Sequence, residues 1–267
     1  MGQFDLKKAL INLCDGRQAT LTTTAAAGVN GRILLTDVST HRGTSALPTI
    51  TIVNAGVSHL TLDVSVTGKD ITVTPITDGM GAITSTAADV EAAINGDDDA
   101  SALVTASLPG TGASAVSAQV KTSLGSGPRV LQVKVADGTI SYDEKKARKY
   151  TKDRGLLSGI MNADEEPLEV KFDFIWEFLK GDGLGTPTVK DVLKQRGDAA
   201  SWVSTDPDAC NPYCIDIEIH YDPACTIADE FILLPTFRYE ALNHDGKNAS
   251  VAVSGKCNVT ESTDIRE

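Results

Sequence analysis

The chain has 267 residues, a formal charge of −12 and only 5% aromatic residues. That charge excludes a protein that grips nucleic acid through its phosphates, and suits a soluble surface or one that must not hold DNA. No apolar run approaches the ~18 residues of a membrane-spanning helix. The apolar patch within Met1–Cys14 lacks the core and cleavage site of a secretory signal, so a cytoplasmic site of synthesis is expected.

Residues 1–17 read as a short lead-in and a strand over Ala9–Leu13, ended by the turn dipeptide Asp15-Gly16. The composition then changes. Residues 18–126 contain no Phe, Tyr, Trp or Cys and are dense in Ala, Thr, Ser, Gly and Val. Two halves of one core rarely differ so much. Residues 18–126 are therefore expected to form a separate small α+β domain, inserted into a β domain made of residues 1–17 and 127–267. Gly125-Ser126-Gly127-Pro128 reads as the exit linker.

Within the insert, Ile50 and Ile52, then Leu60, Leu62, Val64 and Val66, alternate with polar residues. Gly68-Lys69-Asp70 turns the chain into the alternating Ile71 and Val73, which is a hairpin pattern. Ser85 is placed to cap a helix running to Asn95, with Ala87, Val90 and Ile94 on one face and Gly96 as its stop. Asp97-Asp98-Asp99 lacks the spaced ligands and glycine of a calcium loop and reads as a solvated loop rather than an ion site. Ala102–Ser107 is a candidate last strand.

After the linker, Leu131, Val133 and Val135 alternate, Asp137-Gly138 signals a turn, and Ile140 and Tyr142 alternate again. A basic segment follows, with Lys145, Lys146, Arg148, Lys149, Lys152 and Arg154. It fits two readings, a contact loop for an acidic partner or an edge strand protected by lysines. The stretch Pro167–Lys180 is the strongest signal in the chain. Leu168, Val170, Phe172, Phe174, Trp176 and Phe178 fall on alternate positions, with Glu169, Lys171, Asp173 and Glu177 between them. A period of two means a strand with one buried and one wet face. Thr186-Pro187 opens a predicted helix with Val189, Val192 and Leu193 on one face, stopping at Gly197. Tyr213, Ile215, Ile217, Ile219 and Tyr221 form a further strand, with Asp216, Glu218 and His220 expected on its wet face. Phe231–Leu242 and Ala249–Thr260 are the last predicted strands, joined by a turn over His244–Lys247. The predicted core is Phe172, Phe174, Trp176, Phe178, Ile215, Ile217 and Ile219.

Chemistry-bearing motifs are missing. There is no Walker loop, no His-Glu-x-x-His and no Gly-x-Ser-x-Gly, and the 4 histidines are scattered. No catalytic residue, cofactor or metal site is expected. Cys210, Cys214, Cys225 and Cys257 cluster late in the chain. Their spacing is wider than typical zinc pairs and leaves disulfides, metal and buried thiols open, with thiols favoured where no export signal is read.

The ordered segments GTISYDEKKARKYTKDRG, DEEPLEVKFDFIWEFLKGDG, TPTVKDVLKQRGDAASWVSTD, CNPYCIDIEIHYDP, LPTFRYEALNHD and VSGKCN resemble the tail tube (major tail) proteins of long-tailed bacteriophages. The resemblance covers residues 1–17 and 129–267, while the insert is similar to an accessory module of phage structural proteins. It implies an antiparallel β-sandwich or barrel with one flanking helix. It also implies a homo-oligomer of rings, commonly of six, stacked into a hollow tube, with other tail proteins as further partners. Genomic DNA would pass through the lumen without specific binding, and the location would be the virion tail after assembly in the host cytoplasm. The insert would sit on the tube exterior. Lys145, Lys146, Arg148, Lys149, Lys152 and Arg154 are then expected at contacts between subunits, against Asp164-Glu165-Glu166 or Asp216 and Glu218. The alternative is a phage surface-binding module that recognises a host through the insert, although the insert has no aromatic platform for stacking sugars.

Overall fold

In the computed structural model, the residues described are 9–25, 28–38, 47–54, 56–133, 135–153, 156–175, 186–221, 230–247 and 249–266. Backbone contacts divide the chain into two units. One comprises Met1–Arg17 and Arg129–Glu267, with His41–Gly43, and the other comprises Gln18–Thr40 and Thr44–Pro128.

The first unit is built on one antiparallel sheet. Its strands run in the order Val135–Asp143, Leu168–Ile175, Ser250–Cys257, Glu230–Asp245, Ile215–Tyr221, Leu10–Cys14 and Val130–Val133, and Thr263–Arg266 also pairs with Glu230–Asp245. The sheet's two edge strands are nearly consecutive in the chain, separated by one residue. The sheet therefore curls around its core until its edges are neighbouring stretches of backbone. No ladder among the described strands closes it into a barrel. The long Glu230–Asp245 strand changes partner along its length. Its first half pairs with Ile215–Tyr221, its second with Ser250–Cys257, and Phe237 pairs with both Ile215 and Cys257. Thr236 at this change of partner has φ 52°, an unusual value for a β-branched residue. Its N–H donates to Asp216 Oδ1 at 2.8 Å, and its hydroxyl accepts from Asn258 N at 3.2 Å. These two bonds hold a conformation that the side chain disfavours. The result is a mainly β, antiparallel unit with no barrel closure among the described strands.

The alternation read in Leu168–Ile175 is realised. Leu168, Val170, Phe172 and Phe174 are buried together with Ile215, Ile217, Ile219, Val251 and Val253. The Phe172 and Phe237 rings pack tilted, 6.0 Å between centroids. Gly255 makes this packing possible, because a Cβ there would meet Phe237 ring carbons at 2.7 Å. Trp176 and Phe178 lie outside the described residues. The predicted turn at Asp137-Gly138 is instead part of the Val135–Asp143 strand, whose register against Leu168–Ile175 shifts between Val135 and Ile140. The dipeptide that turns a chain also permits an irregularity inside a strand.

The flanking helix spans Val189–Lys194, and its cap is Thr188 rather than Thr186. Thr188 and Asp191 form a reciprocal capping box, so Pro187 lies just before the cap. Gln195 ends the helix in the left-handed region. Val192, Leu193, Ala199 and Trp202 join the core.

The second unit has a three-stranded sheet (Thr20–Thr22, Leu34–Asp37, Val104–Ser107) and a four-stranded one (Asp63–Thr67, Asp70–Thr74, Thr49–Ile52, Gln119–Ser123). The predicted hairpin turns at Gly68, φ 61°, and Thr49–Ile52 adds to it in parallel. Gln119–Ser123 follows the strand expected to be last. The Ala87–Gly96 helix is capped by Thr86, which forms its box with Asp89, while the Ser85 hydroxyl accepts from Ile76 N at 2.7 Å. The acidic run is not a loop. Asp97 caps the short Asp98–Ser101 helix by accepting from Ala100 N at 2.8 Å. The core is purely aliphatic, with Ile33, Leu35, Ile50, Ile52, Ile71, Val73, Val90 and Ile94 at its centre.

Where the chain passes between the units, it is paired on each side. In the first unit, the fully buried Asp15 carboxylate accepts from Arg129 N at 2.7 Å and Arg129 Nε at 2.9 Å, and Asp15 N donates to Arg129 O. In the second, Thr20 and Gly125 exchange both backbone bonds.

A basic hairpin as the candidate assembly site

The segment expected as a contact loop or a lysine-protected edge strand is one strand of a hairpin. Arg148–Asp153 and Leu156–Asn162 pair antiparallel as a two-stranded ribbon, and no third strand joins them among the described residues. Register places Tyr150 opposite Ile160 and Lys149 opposite Met161. All three apolar side chains are open to solvent, at 55%, 54% and 53% exposure. A bare two-stranded ribbon is marginally stable in water, and a pair of opposed apolar side chains gains only when something covers it.

The expected contact residues separate into two groups. Lys145 is taken within its own chain, with Nζ 3.1 Å from Glu169 Oε2. This contact raises the lysine's pKa and lowers that of Glu169. Lys146, Arg148, Lys149 and Lys152 make no ion pair among the described residues, and Arg154 lies outside them. Of the expected acidic partners, Asp164, Glu165 and Glu166 are exposed. Asp216 and Glu218 are not on a wet face at all. Ile215–Tyr221 is covered on both sides, and Glu218, at 0% exposure, accepts from Asn12 Nδ2 at 3.1 Å. His220, also buried, stacks on Phe231 with centroids 4.4 Å apart. The alternation located the two faces of this strand correctly, but polar side chains on a face do not fix what lies over it.

Tyr150, Ile160 and Met161 were missed as site residues. The signal that could have found them is a tyrosine inside an otherwise charged run. Among the described residues there is no group of three or more His, Cys, Asp or Glu placed to hold a metal. Cys14, Cys214 and Cys257 are buried and Cys210 is exposed, with no disulfide among the described residues, while Cys225 lies outside them. Burial pushes the Cys257 thiol up to about 12, far from a reactive thiolate. No described helix is long and apolar enough to cross a membrane. In comparisons with known proteins, no family model matches the chain, and no curated protein or solved structure matches it either.

Proposed function

We propose that the chain is a structural subunit of a bacteriophage tail tube, assembling into stacked rings around a channel for DNA. The observation that carries the reading is the ribbon Arg148–Asp153/Leu156–Asn162, whose opposed Tyr150 and Ile160 stay exposed beside cations that make no ion pair among the described residues. Such a segment is built for a partner surface. The chain's charge of −12 supports the same reading, since a lumen that must release a polyanion is best without basic grips. The second unit sits outside the tube in this proposal, because several copies of a ~100-residue domain would obstruct a bore sized for duplex DNA.

Electron microscopy of the purified protein tests this. Rings or hollow tubes support it. Monomers that bind host cells instead support the surface-recognition reading, and monomers that do neither overturn both.

A further inference from the structure

The ribbon's base carries the charge opposite to that of its strands. A depression of 340 Å³ there is lined by Glu144, Asp164, Glu165 and Glu261, with Lys145 and Lys146 at its side. Two of these groups are already used: Lys145 by Glu169, and Glu144 by the N–H and hydroxyl of Ser262, at 2.9 and 2.5 Å. Asp164, Glu165 and Glu261 make no ion pair among the described residues, and neither do Arg148, Lys149 and Lys152 on the strands above them. Opposite charges thus lie on the ribbon and at its base without pairing among the described residues.

Resting on the tube-subunit reading, we propose that the ribbon of one copy docks into the acidic depression at the ribbon base of a second copy, head to tail. Arg148, Lys149 and Lys152 meet Asp164, Glu165 and Glu261, and the opposed Tyr150 and Ile160 form the apolar anchor. Charge sets the orientation and rejects wrong docking, while a buried aromatic supplies most of the grip. A ribbon-to-ribbon contact is disfavoured because it brings like charges together. A head-to-tail contact uses two different surfaces, so every copy keeps one donor and one acceptor free for the next.

The test uses two variants of the full chain. One reverses the strands (Lys149→Glu with Lys152→Glu) and the other reverses the base (Asp164→Lys with Glu165→Lys). Sedimentation velocity at low salt should show self-association weakened about tenfold or more in each alone. An equimolar mixture should recover it, because the reversed ribbon of one variant then meets the reversed base of the other, and the native ribbon meets the native base. Circular dichroism melting checks that both variants are folded. Where reversal costs folding, the neutral pairs Lys149→Gln/Lys152→Gln and Asp164→Asn/Glu165→Asn replace it, each losing association alone and recovering only one-to-one pairs on mixing, through the remaining native ribbon and native base.

Variants that associate like the wild type, or folded reversed variants whose mixture stays apart, overturn the docking. So does a ribbon variant that keeps self-association but loses retention on duplex DNA, which assigns the cations to nucleic acid. Tubes from both variants alone sink the docking and leave the tube reading intact. Wild-type head-to-tail oligomers with no bore, lost in both variants and regained on mixing, do the reverse.

Discussion

The two units solve the same problem with different materials. The first fills its core with large rings, Phe172, Phe174, Phe237 and Trp202, set among aliphatic side chains. The second uses only Ile, Leu, Val and Ala, spread thinly over two small sheets and a helix. No residue belongs to both clusters. Two cores that share nothing can be changed, lost or gained separately, and each unit should answer to its own mutations alone.

Removing the second unit entirely is the strongest way to break that comparison. Asp15 and Arg129 are already hydrogen-bonded to each other, so a short Gly-Ser bridge in place of residues 18–126 spans little distance. The shortened protein should unfold in one cooperative urea transition. An insoluble product, or a broad non-cooperative melt, would refute the separateness of the cores.

In the full chain, Phe172→Ala should cost about 3–5 kcal/mol, because a fully buried ring leaves a cavity its neighbours cannot fill. Only one of two unfolding transitions should move. If both shift together, the cores are coupled. Asp15→Ala should also cost about 3–5 kcal/mol and move the same transition, since it strands the Arg129 guanidinium without its buried carboxylate.

Smaller changes sharpen the contrast unit by unit. Thr188→Ala and Thr86→Ala each remove a capping box and should each cost about 1 kcal/mol. The first should shift only the first unit's midpoint and the second only the second's.

Acid should not discriminate between the units. Glu144 and Glu169 in one unit, and Asp78 and Asp89 in the other, have pKa values lowered chiefly by hydrogen bonds from Ser262, Lys145, Ala82 and Thr86 respectively. A lowered folded pKa adds stability above the unfolded value, and that stability is lost as pH falls through the folded one. Both transitions should therefore weaken slightly below about pH 4, by similar small amounts. A unit untouched by that titration would show that its carboxylate bonds do not form in solution.

Much of the fold was legible because it depends on local patterns. Alternation alone placed Leu168–Ile175 and its buried face, and Gly68 marked the hairpin turn. Both predicted helices lie two residues or fewer from their true caps, while the short Asp98–Ser101 helix falls where the pattern reads as a loop. The misses at Thr86 and Thr188 share a cause: adjacent or nearby hydroxyls compete, and the winner is the one with an acid three positions on. What stayed hidden depends on distant chain. Nothing near Glu218 announces that its face is covered. Nothing near Tyr150 announces that Ile160 will stand opposite it, because that needs the register of a ribbon hidden in a run of charges.

The pairing of Leu10–Cys14 with Ile215–Tyr221 has a consequence for how the protein is made. Asn12 bonds to a residue 206 positions later. At ribosomal speeds of about 5–20 residues per second, that strand waits about 10–40 s for Ile215–Tyr221, although Val130–Val133 is made sooner. The whole second unit is synthesised in the interval, and its aliphatic core needs nothing from the chain still to come. It should therefore fold first, on the nascent chain, before Leu10–Cys14 meets Ile215–Tyr221. The sheet that it interrupts is completed last, when the C-terminal strands leave the ribosome and take up an N-terminal strand made long before.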